Sequence, residues 1–460
     1  MNEWLTLTLA DVCTVITDGA HQSPKTVSRG KPMASVKDLT RFGVDLKSAR
    51  HIAIEDFEAL AKQGCKPQVG DVLIAKDGNS ALDTVCTVAH ALDAVLLSSV
   101  AILRPDPNCL DSVFLKFYLS SPETIEYLKS NFISGAAIPR VVLRDFKRAE
   151  IRLPSLDVQR RIAGILQSID SKIDLNRRIN QTLETIAQAI FKSWFVDFDP
   201  VKAKIAAKQE GRDPLRAAMS AISGKPDAEL DALPPEQYEQ LAAIAALFPD
   251  EMQDSELGEI PKGWEPGGLS SVCGLNTESW SAKTLPASVK YVDLANTKNG
   301  EVIEVQTMEG ANIPSRARRI LKVGDTIIGT VRPGNRSFAL VGEAGLTGST
   351  GFAVLHPRKS YLREYVYLAA TADSNIERLA HLADGGAYPA VRPELVVSDA
   401  LPIPSEDLLR EFHRISSPMF DQLLGMRRAN RSLAALRDAL LPKLLSGELS
   451  VTEAMAEAEA

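Results

Sequence analysis

The pattern of hydrophobic and polar positions divides the chain into two halves of similar layout. Short β-branched runs, such as Val72-Leu73-Ile74 and Thr326-Ile327-Ile328, follow Gly-Asp pairs and predict strands that begin after tight turns. Segments 111–130 and 361–380 instead carry apolar residues at helical spacing. Each half therefore predicts a compact α+β domain of roughly 140–150 residues, which is an ordinary domain size.

Each half then continues into a long helix with apolar residues three and four positions apart. The seam of the first helix is Ile162, Ile165, Ile169, Asn176, Ile179, Leu183, Ile186 and Ile190; that of the second is Phe412, Ile415, Met419, Met426, Ala429, Leu433, Leu436 and Leu440. Such seams are typical of helices that pack on one another. Packing of each helix on its own domain is the alternative, but a helix of about 35 residues, near 50 Å, would extend beyond such a domain. Because Met426 matches Asn176 in the second copy, we expect no buried pair of asparagines.

Short segments also recur in the same order, at an offset of about 250 to 260 residues. The matches include LADVC at 9–13 with LSSVC at 269–273, VGDVLIAKDG at 69–78 with VGDTIIGTVRP at 323–333, VAILRP at 100–105 with FAVLHP at 352–357, and SGAAIPR at 134–140 with DGGAYPA at 384–390. The predicted fold class is α+β, with two similar domains joined by a pair of long antiparallel helices in a pseudo-twofold internal repeat. The predicted boundaries are 1–155 for the first domain, 156–197 for its helix, 198–262 for a partly ordered connector, 263–404 for the second domain, 405–446 for its helix and 447–460 for an acidic tail.

The net charge of −7 is concentrated in one segment. Residues 221–260 contain ten acidic residues and one lysine, a local charge of −9, so the rest of the chain carries +2 and can present basic surfaces. The five cysteines are scattered without a CxxC pair, which predicts buried thiols in a reducing cytoplasm. The chain has no apolar run of about 18 residues, and its first residues do not resemble a secretory signal. A cytoplasmic protein without membrane partners is therefore expected.

Catalytic motifs are not apparent in the sequence. The Pro-Pro pair at 234–235 lacks the aromatic residue of a base-methylating loop, no phosphate-binding GxxxxGK[ST] occurs, and the six histidines lack metal-ligand spacing. Asp77 resembles a nuclease carboxylate, but its place before Gly78 is typical of a turn. We therefore predict no catalytic residue, metal or cofactor in this chain.

Two corresponding loops carry side chains suited to reading base edges. Arginine or lysine pairs with guanine and asparagine with adenine through two hydrogen bonds. The candidates are Lys76 and Asn79 in loop 75–80, and Arg332, Asn335 and Arg336 in loop 330–337. A solvated polar turn is the alternative for each single residue, but both copies place cationic and amide groups at the same point. This correspondence favours contact with DNA.

Two glycine-rich loops and one histidine segment are further candidates. Glycine permits close approach of the backbone to a phosphate, and neighbouring basic residues can neutralise it. The candidates are Arg140 and Arg144 in the first copy, Tyr388 and Arg392 in the second, and His21 with Lys25 in DGAHQSPK. Structural turns, and a structural role for a lone histidine, are the alternatives.

Four segments resemble the specificity subunits of type I restriction–modification systems. NRRINQTLETIAQAIFKSWFVDFDP at 176–200 resembles the central conserved region of that family, and RSLAALRDALLPKLLSGELSV at 431–451 resembles its distal conserved region. FPDEMQDSELGEIPKGW at 248–264 is similar to the junction before the second recognition domain, and ITDGAHQSPK at 16–25 to the entry of many first ones. Residues 1–155 and 263–404 would then be target recognition domains.

The resemblance implies a non-catalytic subunit whose two domains each read one half of a bipartite DNA target. The alternatives are a coiled-coil adaptor that binds only proteins and a restriction enzyme with its own divergent nuclease site. Two conserved helices would set the spacing and dock two methyltransferase subunits, and motor–nuclease subunits would join them. S-adenosylmethionine, ATP and Mg²⁺ would belong to these partners. The docking or spacer positions implied are Ile179, Leu183, Ile186, Trp194, Phe195, Phe198, Leu433, Leu436 and Leu440. For the three aromatic residues a core role is the main interpretation, since aromatics at a helix end usually cover a core.

Overall fold

A computed structural model describes residues 4–78, 81–134, 139–384, 386, 389–398 and 400–449. The chain divides into two compact units: the first is Met1–Arg177 with Arg428–Ala460, and the second is Arg178–Arg427. Each unit holds one of the two α+β halves. Within the described ranges, no helix combines the length and the apolar character needed to cross a membrane.

The first unit contains short strands, short helices and the start of a long helix. Its strands are β1 (Leu5–Thr8), β2 (Cys13–Asp18), β3 (Lys31–Ala34), β4 (Leu39–Thr40), β5 (Gly43–Val44), β6 (Arg50–Ile52), β7 (Val72–Ala75), β8 (Val85–Thr87), β9 (Val95–Leu96), β10 (Val100–Pro105), β11 (Ile133–Ser134), β12 (Arg140–Val141) and β13 (Glu150–Leu153). Its helices are α1 (Leu9–Val12), α2 (Ile54–Lys62), α3 (Ser112–Leu119), α4 (Pro122–Phe132), α5 (Leu143–Phe146) and α6 (Leu156–Phe195), which continues into the second unit.

The second unit repeats this order after a set of connector helices. Its helices are α7 (Asp199–Gln209), α8 (Pro214–Ser223), α9 (Asp227–Leu230), α10 (Pro235–Ala246), α11 (Leu269–Val272), α12 (Arg363–Thr371), α13 (Asp373–Leu382), α14 (Pro393–Val396) and α15 (Glu406–Ser446), which ends in the first unit. Its strands are β14 (Met252–Ser255), β15 (Gly258–Pro261), β16 (Glu265–Gly268), β17 (Cys273–Leu275), β18 (Ser288–Val292), β19 (Thr297–Lys298), β20 (Glu301–Val302), β21 (Gln306–Glu309), β22 (Ala317–Leu321), β23 (Thr326–Gly329), β24 (Phe338–Leu340), β25 (Leu346–Ser349), β26 (Phe352–Pro357) and β27 (Ala400–Ile403).

The sheet topology confirms the predicted repeat. The central antiparallel sheet has the order β2-β10-β7-β8 in the first unit and β17-β26-β23-β24 in the second. A second sheet contains one parallel pair in each unit, β3 with β9 and β18 with β25. A two-stranded ribbon, β1 with β13 or β16 with β27, leads from each domain to the long helix that follows it. The two units therefore share one α+β fold.

The Gly-Asp pairs start the central strands as predicted. Gly70 and Gly324 adopt φ values of 90° and 92°, a conformation that L side chains rarely adopt. The carboxylates of Asp71 and Asp325 each accept the backbone N–H of the residue three positions earlier. The strands that follow, β7 and β23, are buried along their whole length. The predicted helical segments are also confirmed, since 111–130 contains α3 and most of α4, and 361–380 contains α12 and most of α13.

In both units the two long helices pack in antiparallel orientation. In the contacting pairs, the residue number increases along α6 while it decreases along α15. The pairs are Asp170 with Arg437 and Asn176 with Asn430 in the first unit, and Glu184 with Arg427 and Phe195 with Phe412 in the second. The predicted helix pairing is thus confirmed.

In the second half of α6, the predicted seam is wrong because the buried positions lie one residue further along the helix. Ile162 and Ile169 are buried, but Ile186 is 42% exposed whereas Ala187 and Phe191 are buried. Along α6 the buried seam runs Ile162, Leu166, Ile169, Ile173, Asn176, Asn180, Ala187, Phe191 and Trp194. Small and polar residues at Ala187 and Asn180 occupy seam positions, so a pattern based on large apolar residues follows the neighbouring isoleucines instead.

The expectation that no asparagine pair forms is also wrong. Asn176 is 2% exposed, and its Nδ2 donates to Oδ1 of Asn430 at 2.8 Å. Nδ2 of Asn430 in turn donates to the carbonyl of Ile173 at 3.4 Å. Antiparallel packing explains the error, because Asn176 faces a residue determined by the crossing of the helices rather than its repeat equivalent, Met426.

The aromatic end of α6 belongs to the core of the second unit. Trp194 and Phe195 are buried and pack with Phe412 of α15 and Trp264. Phe198, which is half-buried, stacks edge-on against Trp264 at 5.6 Å. The core interpretation of these aromatics is confirmed. Trp194 and Phe195 therefore do not form an exposed docking surface.

The connector after α6 is folded in the structure. Helices α8 to α10 pack around a small core of Ala218, Met219, Leu230 and Ala245, and α7 packs against α8. Arg216 on α8 binds the acidic segment through Asp227 at 2.9 Å and Asp231 at 2.7 Å. The expectation of partial order is thus replaced by four helices, because alanine-rich faces and ion pairs compensate for the many acidic residues.

Candidate nucleic-acid interface

In the first unit the two predicted loops meet through backbone hydrogen bonds. The Gly78 N–H donates to the carbonyl of Pro139, and the Val141 N–H to the carbonyl of Lys76, both at 3.0 Å. Arg140 lies opposite Asp77 in this pairing. Asn79 lies outside the described residues. Loop 75–80 and the loop that precedes Arg140 therefore share one site.

The second unit repeats this arrangement. The Arg332 N–H donates to the carbonyl of Pro389 at 2.7 Å, and the Val391 N–H donates to the carbonyl of Thr330 at 2.9 Å. Tyr388 lies outside the described residues, and Arg392 is exposed. The structure thus brings together candidates that lie 57 to 65 positions apart in the sequence, and does so in the same way in both units.

A charge network gathers three of the first-unit candidates. The Lys76 ammonium lies 3.1 Å from Asp77 and 3.5 Å from Asp18. Asp18 also contacts Nε2 of His21 at 3.2 Å, and Asp77 contacts Nε of Arg140 at 3.0 Å. Lys76 is buried, which its position in a predicted polar loop did not suggest. Lys76 lies beneath the surface and pairs with Asp18 and Asp77. These two carboxylates in turn orient His21 and Arg140.

Other first-unit candidates are open to solvent. The side chain of Arg140 is 56% exposed and that of Arg144, on α5, is 85% exposed. Lys25 is also exposed in the loop that follows His21. These cations are accessible to an anionic partner such as a phosphate backbone.

The second-unit loop has a strained turn. Arg332 and Arg336 flank a 3-10 turn at Pro333–Asn335 and adopt φ values of 47° and 60°, an uncommon conformation for residues with a side chain. The guanidinium of Arg336 contacts Asp373 at 2.6 Å and lies 5.4 Å from the ring of Phe338. Asn335 is exposed. Strain of this kind persists where the surroundings fix it, and it is common at binding sites.

Arg316 is a further cation at this site, and the sequence reasoning missed it. Its side chain is 61% exposed, and it donates to Tyr291 Oη at 3.0 Å and to Asp293 at 2.7 Å. The bond to Tyr291, aided by Asp293, raises the pKa of Arg316. Backbone bonds from Thr350 to Arg316 and from Thr330 to Gly351 link it to the 330–337 loop. The basic run Arg316-Ala317-Arg318-Arg319 is the sequence signal that could have found it.

The described side chains show little that suggests catalysis. Among them, no group of three His, Cys, Asp or Glu residues is arranged to hold a metal ion. Burial raises the pKa of Cys86 and Cys273 to about 12, so these thiols are not thiolate nucleophiles at neutral pH. Asp77, the carboxylate that resembles a nuclease residue, is occupied by Lys76 and Arg140.

Comparison with known proteins identifies the family. The chain is 30% identical over 426 residues to the type I restriction enzyme HindI specificity subunit of Haemophilus influenzae, a match that covers 86% of this chain and 90% of that protein. The chain belongs to the type I restriction enzyme specificity subunits. Residues 1–185 match the type I restriction modification DNA specificity domain.

A more distant relative and one solved structure are also similar to this chain. The MjaIX specificity subunit of Methanocaldococcus jannaschii is 25% identical over 345 residues, covering 73% of this chain and 69% of that protein. The crystal structure of a type I restriction-modification S subunit from M. genitalium shares 16% identity over 96% of both chains, with a TM-score of 0.49. As a specificity subunit, this chain is the DNA-recognition component of a restriction–modification system, and catalysis lies in partner subunits.

Proposed function

We propose that each unit reads one half of a bipartite double-stranded DNA target through its joined pair of loops. Segments 75–78 and 139–144 form the first reading surface, and segments 330–337 and 389–392 form the second. The observation that supports this most is the identical backbone pairing of the two loops in both units, each pair carrying exposed arginines. Asn335 and Arg336 are suited to base edges, whereas Arg144 is suited to phosphates.

The long helices α6 and α15 are proposed to set the number of base pairs between the half-sites. Both helices run through both units, and they pack on one another within each. Insertion of a heptad into the 176–190 region and into its partner on α15 is expected to change the gap and leave each half-site sequence intact. Methylation sequencing of target sites tests this, and an unchanged gap contradicts it.

The chain is further proposed to dock two methyltransferase subunits, which motor–nuclease subunits then join. S-adenosylmethionine, ATP and Mg²⁺ are assigned to those subunits. Support for a docking surface on the helices comes from large apolar residues exposed on α6, namely Leu175 and Ile186. Scattered apolar residues are normal on surfaces, but the other large apolar residues of α6 are buried or half-buried.

Charge reversal tests the reading surface. The variant Arg332→Glu/Arg336→Glu is expected to weaken recognition of one half-site by about 5- to 150-fold per lost base contact, and to leave preference at the other half-site unchanged. The matched control is Lys359→Glu, an exposed cation beyond the opposite end of the antiparallel strands β23 and β26. Binding of the methyltransferase complex to duplex DNA with substitutions in either half-site gives the measurement. If the chain were an adaptor that binds only proteins, the two variants would show no difference in DNA binding.

A further inference from the structure

The tight turn of the β19–β20 hairpin, Asn299–Gly300, is hydrogen-bonded to the second reading loop. The Asn299 N–H donates to the carbonyl of Arg336, and the Gly300 N–H to the carbonyl of Phe338, both at 2.8 Å. Asn299 and Gly300 adopt φ values of 47° and 88°, so both turn residues are left-handed. The backbone at and after Arg336 therefore depends on the position of this turn.

The opposite side of the turn is held by the long helices. The carbonyl of Gly300 accepts a hydrogen bond from Nη1 of Arg427 on α15 at 2.6 Å. Nη2 of Arg427 lies 3.7 Å from Oε2 of Glu184 on α6, and Oε1 of Glu184 accepts from the hydroxyl of Tyr367 on α12 at 2.7 Å. We refer to Glu184, Gly300, Tyr367 and Arg427 as the polar node.

The polar node is closely packed. A Cβ atom added to Gly300 would lie 2.7 Å from the Tyr367 hydroxyl, 3.2 Å from Nη2 of Arg427 and 3.3 Å from Oε1 of Glu184. Both the positive φ and this space require glycine. Tyr367 is buried, and Glu184 and Arg427 are largely buried, so hydrogen bonds here act in a low-dielectric environment and constrain direction strongly.

We propose that the polar node positions Arg336 and its neighbour Asn335 for reading one half-site. This inference rests on the proposed function. The path runs from Glu184 and Arg427 on the helices, through the Asn299–Gly300 turn, to the backbone of Arg336. Glu184, Tyr367 and Arg427 act through other groups and are positioning residues, which sets them apart from residues that contact DNA.

A positioning role of the polar node can be distinguished experimentally from a general structural role. Buried ion pairs often add little net stability compared with apolar packing, but they fix one geometry where apolar contacts allow several. A positioning role thus predicts an effect on base discrimination at one half-site, whereas a general structural role predicts equal weakening at both. The readout is the ratio of affinities for cognate and singly substituted duplexes, measured separately for each half-site.

The test uses Gly300→Ala, Arg427→Lys and Tyr367→Phe in the complex with co-expressed methyltransferase subunits. The target duplex comes from methylation sequencing, and the Arg332→Glu/Arg336→Glu variant identifies the half-site read by the second unit. We expect each variant to lose roughly tenfold in discrimination at that half-site, comparable to one base contact. Discrimination at the other half-site should stay within about twofold, since the first unit is unaltered.

Arg161→Gln, which breaks an exposed i,i+4 pair with Asp157 on α6, is the control and should change neither half-site. Discrimination equal to wild type in all three node variants would overturn the inference, as would equal losses at both half-sites with a lowered unfolding temperature. If Gly300→Ala does not fold, the two conservative variants decide. Failure of the proposed function is distinguishable, because the Arg332→Glu/Arg336→Glu variant would then weaken recognition of neither half-site.

Discussion

Four equivalent elements meet around an acidic residue of α6 in both units, but the chemistry differs. In the first unit Asp170 of α6 contacts Arg437 of α15 at 2.9 Å, Lys116 of α3 at 2.6 Å and Arg41 of the β4–β5 turn at 3.2 Å. In the second unit the polar node joins α6, α15, α12 and the β19–β20 turn. The repeat therefore keeps the place of the contact and changes its residues.

The difference shows that the same arrangement of helices and turn can be joined by two different sets of polar contacts. In the first unit three cations surround one fully buried carboxylate, and Nη2 of Arg41 is buried without a hydrogen-bond partner among the described atoms. In the second unit a neutral phenol replaces one cation and a backbone carbonyl replaces the arginine of the turn. Burial raises the pKa of Tyr367 well above its ordinary value, so the phenol remains a proton donor. The first cluster should therefore depend far more on its charge balance than the second.

The largest effect is expected from Asp170→Asn. This change leaves Lys116 buried without its carboxylate partner and removes one of the two carboxylates of Arg437, which keeps Asp438. Breaking a buried pair in this way costs about 3–5 kcal/mol of unfolding free energy. Chemical denaturation measures the change. Asp157→Asn, which removes an exposed helix pair, is the control and should cost less than about 1 kcal/mol. Equal effects of the two variants would show that the charge balance at Asp170 is unimportant.

The same cluster predicts a dependence on pH. Burial acts to raise the pKa of Asp170, but the charges of Lys116 and Arg41 outweigh it and hold the pKa below its ordinary value. A carboxyl whose folded pKa is lowered contributes stability above its unfolded pKa, near 3.9, and that stability is lost as the pH falls through the folded value. The stability difference between wild type and Asp170→Asn should therefore shrink below about pH 4. A constant difference from pH 7 to pH 3 would contradict this.

In the second unit, Tyr367→Phe should have a smaller effect. It removes a hydrogen bond to a charged acceptor, Glu184, for which the expected loss is about 1.5–3 kcal/mol. Tyr365→Phe is a matched control on the same helix, because the hydroxyl of Tyr365 donates to a neutral carbonyl, that of Pro402, at 3.2 Å. Its loss should be about 1 kcal/mol. A larger loss for Tyr365→Phe would reverse the ranking of the two contacts.

Sequence reasoning predicted the elements and the repeat because these depend on local periodicity and on matching segments. It could not find the two polar clusters, because Asp170, Lys116 and Arg41 are far apart along the chain and have no equivalents of the same type in the second half. The same limit applies to Lys76, which appears in a polar loop but is buried by pairing with distant Asp18. The convergence of the loops around Lys76 and Pro139 likewise depends on tertiary structure, although both loops were identified separately.

The asparagine pair on the helices gives the third effect in size. Asn176→Leu leaves the amide of Asn430 buried without its partner, which should cost about 1–3 kcal/mol. The double variant Asn176→Leu/Asn430→Leu removes both polar groups and should recover most of that loss. Denaturation of both single variants and the double variant completes a double-mutant cycle. Additive losses would mean that the two amides do not interact.

The smallest effect on stability, and the sharpest contrast with the buried clusters, is expected for Ile186→Ser. Ile186 is exposed on α6 between the polar node residue Glu184 and the buried Ala187, so its truncation should change the free energy of unfolding by less than about 0.5 kcal/mol. If the exposed face of α6 docks a methyltransferase subunit, the same variant should weaken assembly of the complex by roughly three- to tenfold, since full burial of such a side chain is worth about 1.5–3 kcal/mol and Ile186 is 42% exposed. Co-purification and titration of the methyltransferase subunit measure this. Thr185→Ser, a neighbouring exposed position, is the control. Unchanged assembly with Ile186→Ser would assign the docking surface to another face.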